Sequence, residues 1–142
     1  MRLAAHRIAV DLPAGWEGRL WKRTDGLPVV QAANFALPAA DGDFGTSAVE
    51  RMPAGGVLVV LIEYDQTLAG TPLFAAARPA RLRAAELRPT TLLRSLPGQA
   101  GAQRFFTDGG RAFCLYVVIG SNARARELAA AASSILSGLS IG

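Results

Sequence analysis

Two stretches of this chain, VLVVLIEY at 57–64 and RAFCLYVVIG at 111–120, are apolar on both faces of an extended strand. In the first, Leu58, Val60, Ile62 and Tyr64 fall on one side of the pleat, and Val57, Val59 and Leu61 fall on the other. In the second, Phe113, Leu115, Val117 and Ile119 oppose Ala112, Cys114, Tyr116 and Val118. Such strands are stable only where both faces are covered, so the chain must build a sheet with a layer on each side. RFFTD at 104–108 precedes the second strand, and the Asp108–Gly110 turn joins the two as a hairpin.

The covering layers are legible at the end of the chain and near its middle. Leu128, Ala132, Ile135, Leu136 and Leu139 recur at helical spacing. Ser121 or Asn122 can cap that helix, Gly138 is expected to end it in a left-handed turn, and LSI returns as a short strand. Phe44, Ala48, Val49 and Met52 mark one or two helical turns, with SAVE at 47–50 in the pattern of a capping box and Pro53 as the stop. Upstream, Arg7–Val10, EGRLWKR and VVQAANF read as antiparallel strands separated by proline and glycine turns. Residues 65–103, broken by four prolines, read as a long connection with one or two short helices, Pro89 opening one of them. The expectation is a single α+β domain over 1–142: a twisted, mostly antiparallel sheet of about six strands, flanked by the terminal helix and shorter helical pieces.

Composition narrows the chemistry. A chain of 142 residues, 51% hydrophobic and 18% charged, is too apolar for disorder. None of its apolar runs approaches the ~18 residues of a membrane span. No secretory h-region is recognisable at the start, which reads as cytoplasmic. One cysteine and one histidine build neither an internal disulfide nor a zinc site of about four ligands, so no metal or cofactor is expected.

Reactive groups are few. Cys114 sits between apolar rows far in sequence from His6, the only histidine, and reads as a small buried hydrophobe. No GxSxG is present, and DGDFG at 41–45 lacks the later ligands of a calcium loop, which leaves a turn leading into the helix. Glu63 is the one acid inside an apolar run, placed at a strand end where its charge can reach solvent.

Basic residues carry the remaining signals, and all but Lys22 are arginine for a net charge of +4. In IGSNARAR the polar turn Ser121–Asn122 with Arg124 and Arg126 opens a helix and could hold a phosphate or carboxylate. Between Arg78 and Arg94 lie Arg81, Arg83 and Arg88, offset by Glu86 alone. No aromatic residue interleaves with them, which disfavours nucleic acid. Arg19, Trp21 and Arg23 share one face of an outer strand, as an interface cluster or as a tryptophan packed under a loop.

The segment DLPAGW, with Pro13, Gly15 and Trp16 after a first strand, followed by antiparallel strands, a long connection, a two-sided hairpin and a helix running into LSI, resembles the PsbP-like α/β/α sandwich group. That resemblance implies the architecture and a non-enzymatic role of the kind its members have, as assembly factors, partners of larger complexes or lipid carriers. The chain departs from them in lacking a recognisable transit peptide, leader or lipidation cysteine near its start, so photosynthetic and envelope roles do not carry over. The function expected is a bacterial protein-interaction or assembly module, self-association included, working through Arg19, Trp21, Arg23, Arg81, Arg83 and Arg88. The alternative is a small-ligand domain whose arginines take an acidic head group or lipid.

Overall fold

The computed structural model describes residues 1–92 and 96–142. Arg94 therefore lies outside the described residues. The chain order is β1 (Arg2–Ala5), β2 (Ile8–Asp11), β3 (Glu17–Lys22), β4 (Pro28–Ala33), α1 (Thr46–Arg51), β5 (Val57–Tyr64), β6 (Ala100–Asp108), β7 (Arg111–Ile119), α2 (Ala125–Ser137) and β8 (Leu139–Ile141). The protein is α+β. A five-stranded antiparallel sheet has the order β3-β4-β5-β7-β6, and a three-stranded one has the order β1-β2-β8.

The doubly apolar strands β5 and β7 pair at the centre of the larger sheet, with Val60 opposite Tyr116 and Ile62 opposite Cys114. Every residue of β7 is buried. On one face Val57, Val59, Leu61, Phe113, Leu115 and Val117 pack against Leu128, Ala132 and Ile135 of α2 and against Ile8 and Val10 of the smaller sheet. On the other, Leu58, Val60, Ile62 and Tyr116 meet Ala48 and Val49 of α1, with Phe44 and Phe35 around them. Each large apolar side chain so placed contributes about 1.5–3 kcal/mol. No helix among the described residues is long and apolar enough to cross a membrane.

The hairpin turn falls where Asp108–Gly110 predicts it, with Gly109 at φ 58° and Gly110 at φ 79°, the left-handed pair that a two-residue turn demands. Strand β6 begins earlier than the expected Arg104, at Ala100, because its pairing with β7 continues to Ala100 opposite Ile119, and Gly101 also exchanges backbone hydrogen bonds with Arg88 on the other edge. The 65–99 connection holds short 3-10 turns at Gln66–Leu68, Pro72–Phe74, Ala84–Glu86 and Pro89–Thr91, the last opened by Pro89 as its position implies.

Three local expectations are corrected. Strand β1 escapes a sequence reading because its turn into β2 is His6–Arg7, both left-handed at φ 53° and 60°, which is not a turn dipeptide. Helix α1 is not capped by Ser47: the Asp41 carboxylate reaches over the loop to accept the N–H groups of Ser47 at 2.9 Å and Ala48 at 2.9 Å, and left-handed Gly45 precedes the helix. Gly138 ends α2 at φ −92°, not left-handed. It is glycine because β2 comes close: a Cβ there would meet the Cβ of Asp11 at 3.2 Å, and Asp11 N–H donates to Gly138 O at 3.0 Å.

Candidate interaction groove

A single serine places the most basic part of the long connection. The Ser133 hydroxyl on α2 donates to Leu82 O at 3.1 Å and accepts from Leu82 N–H at 2.9 Å, so one side chain holds both backbone groups of Leu82 against the helix. Leu82 is driven into the core, and its neighbours Arg81 and Arg83 are exposed. The segment is extended at this point, where adjacent side chains alternate in direction.

Along the seam between segment 80–84 and α2 runs an open groove of about 640 Å³, lined by Arg81, Arg83, Arg126, Ala130, Ser134 and Ser137 among others. The helix presents alanine and serine there, small side chains that leave the recess open. A second recess shares Arg81 and Arg83 and continues the basic strip to Arg104, which is paired with Glu86. The Arg83 backbone N–H donates to Glu86 Oε2 at 2.7 Å, while its guanidinium comes only to 4.0 Å of that oxygen. Among the described residues Arg81 and Arg126 have no ion pair. Two sequence signals some forty positions apart thus converge on one surface.

The expected anion site at the start of α2 is divided by the fold. Asn122 N–H donates to Gly98 O at 2.6 Å and no side-chain cap forms at Ser121. Arg124 turns to Glu127, with Nη2 to Oε1 at 2.8 Å and Nε to Oε2 at 3.2 Å. That hydrogen bonding holds the Glu127 carboxyl below its ordinary range. Only Arg126 of this set reaches the groove. Arg88 lines neither recess; its backbone instead extends the β6 edge.

The β3 cluster is drawn inward. Arg19 donates to the carbonyls of Pro38 and Ala39, and Arg23 donates to Glu63 O and sits 5.8 Å from the Tyr64 ring centre. Trp21 is half-buried, packed against the cluster of α1 and β4. Beside it a cavity of about 550 Å³ is lined by Leu3, Gly18, Leu20, Trp21, Ala39 and Ala40, and also by Arg19 and Gln31. Among the described residues Arg19 Nε and Gln31 Oε1 are buried without a hydrogen-bond partner.

The groups with most reactive potential are withdrawn from solvent. Cys114 is fully buried, and burial pushes its thiol up to about 11, while a hydrogen bond from Gln103 Nε2 to Sγ at 3.6 Å acts more weakly in the other direction. Such a thiol is protonated at neutral pH and is no nucleophile. Glu63 does not reach solvent, contrary to its place at a strand end; it is 8% exposed and bound by the Arg111 guanidinium. Arg111 itself carries no signal in the sequence, because its partner lies 48 positions away. The described residues contain no group of three or more potential metal ligands.

The chain matches no protein-family model, no curated protein and no solved structure.

Proposed function

We infer that this protein is a non-enzymatic interaction module that seats an acidic segment of a partner protein in the groove between α2 and residues 80–84. One observation carries the reading: Arg81 and Arg83 from the connection and Arg126 from the helix line the same open groove, with Glu86 as the acid nearby. Guanidinium groups pair with carboxylates in bidentate fashion, and arginines held on an ordered backbone lose little freedom in doing so. The burial of Cys114 and the pairing of Glu63 support a reading without catalysis. Arg19 and Arg23 are left out of the contact surface because their guanidiniums serve their own chain. The PsbP-like architecture stays part of the proposal, as does a bacterial, cytoplasmic setting.

A titration of isotope-labelled protein with a poly-glutamate peptide, followed by amide chemical shifts, tests the reading. Shifts should concentrate at 80–84 and 126–137, weaken as salt is raised, and vanish in the triple charge reversal of Arg81, Arg83 and Arg126 to Glu. No response in the groove, or one that survives the reversal, refutes it. The volume of about 640 Å³ also lies within the range of small-ligand sites. Citrate in place of the peptide separates that second reading, since a small acidic ligand would be matched by citrate and a segment would not.

A further inference from the structure

The larger sheet treats its two edges differently. On β6, the segment around Arg88 exchanges backbone hydrogen bonds with Gly101 at 2.8 and 2.9 Å, and Ala76 O accepts Thr107 N–H at 3.0 Å. Among the described residues strand β3 has no such backbone pairing on its outer edge. Which of its backbone groups are free follows from the ladder. Asn34 N–H donates to Val57 O, and Arg23 N–H donates to Leu27 O. Antiparallel bonding alternates along a strand, so the odd-numbered residues of β3 bond to β4 and the even ones point away. Gly18, Leu20 and Lys22 thus present N–H and C=O outward, and among the described residues nothing pairs with them. The cavity beside Trp21 lies along this edge, with Leu3 and Ala39–Ala40 among its walls.

We propose that a second copy of this chain pairs there, β3 against β3 in antiparallel register, joining the two large sheets across a two-fold axis at Leu20. Only another strand offers donors and acceptors at the spacing that Gly18, Leu20 and Lys22 present. The register is selected by side chains. With Leu20 opposite itself, Gly18 exchanges bonds with the partner subunit's Lys22, and Arg19, its Nη groups still on the carbonyls of Pro38 and Ala39, offers its guanidinium face to the partner subunit's Trp21. Cation–aromatic neighbours stabilise such cross-strand pairs. A slide of two residues in one direction sets Arg19 against itself, and in the other sets Arg19 against the partner subunit's Arg23. The RxW stretch from Arg19 to Trp21 therefore pairs with its own reverse, twice across the axis, in that one alignment.

Light scattering after size exclusion tests the pairing. The wild type should show twice the chain mass of 14.9 kDa, and Leu20→Pro should show the single-chain mass. Proline at 20 removes an outward N–H and no bond to β4, so the fold should persist by circular dichroism. Lys22→Pro serves as a second variant should the first misfold, and it should raise the dimer dissociation constant about tenfold or more through the hydrogen bonds lost on both chains. Amides of Gly18, Leu20 and Lys22 should exchange slowly in the wild type, and those that remain in either proline variant should exchange fast. A wild type that is monomeric, or a dimer that neither proline weakens, overturns the proposal. Charge reversal of Arg81, Arg83 and Arg126 should leave the dimer unchanged, which separates this surface from the arginine groove.

Discussion

Arg111 grips Glu63 through two hydrogen bonds, Nε to Oε2 at 2.9 Å and Nη2 to Oε1 at 2.7 Å, with both side chains buried. Its remaining N–H groups go to the carbonyls of Arg7 at 3.1 Å, Gly142 at 2.9 Å and His6 at 3.2 Å. One side chain of β7 thereby ties β5 of the large sheet to the β1–β2 turn and the β8 end of the small one. A guanidinium with all its donors satisfied offsets the desolvation that a buried charge otherwise costs.

Replacing Arg111 by Met should destabilise the protein by about 3–5 kcal/mol in urea titration, because Glu63 is left buried without its counter-charge. The double variant Glu63→Gln with Arg111→Met should recover only part of that loss. The carbonyls of His6 and Gly142 still lack the Arg111 donors in it, and Arg7 O keeps only the Gly142 N–H. Full recovery would show that those three bonds contribute nothing.

The left-handed His6–Arg7 turn is held by the same guanidinium through backbone atoms alone. His6→Asn combined with Arg7→Gly should keep every one of those bonds and relieve the positive-φ cost. A gain of about 1–2 kcal/mol in chemical denaturation is expected. An unchanged midpoint would mean that the greater freedom of glycine in the unfolded chain cancels the gain.

Ser133→Ala should cost about 1–3 kcal/mol, since it strands both backbone groups of Leu82. It should also weaken poly-glutamate binding although no arginine is touched. Binding at wild-type strength, with stability reduced, would separate the serine's structural role from the groove.

Cys114 sets an alkaline limit on stability. Its ordinary value is 9.0 and burial raises it to about 11, so between those values the unfolded chain has released a proton that the folded chain keeps. Fewer protons bound in the unfolded state means that stability falls as pH rises through that window. Melting temperature should drop from pH 9 to 11, less steeply in Cys114→Ala; part of the drop remains there because burial also raises Tyr64. Iodoacetamide at pH 8 should label the native thiol far more slowly than the urea-unfolded one. Equal rates would place the thiol at the surface.

Much of this architecture is written in local pattern. The two-sided strands 57–64 and 111–119, the Gly109–Gly110 turn, the terminal helix and the Pro89 turn all express short-range preferences, and each stands where those preferences put it. What local pattern missed has one cause. Strand β1 depends on a turn stabilised from β7, the α1 cap is an aspartate 6 residues before the N–H it receives at Ser47, and Gly138 is required by a neighbouring strand. In each case the deciding partner lies outside the window in which periodicity and capping rules operate.

The sequence by itself determined that this chain makes a sheet covered on both faces, because a period of two with apolar residues in both phases permits nothing else in water. It also determined that reactive side chains are scarce. Only the tertiary structure decided which charges are spent and which are left over. Glu63 and Arg111 meet across 48 residues, Ser133 fastens Leu82 across 51, and Arg126 joins Arg81 and Arg83 because α2 lies beside that segment. Charges become a site through distance in space, and in a sheet of this topology distance in space is set by strand order, which no single stretch of sequence contains.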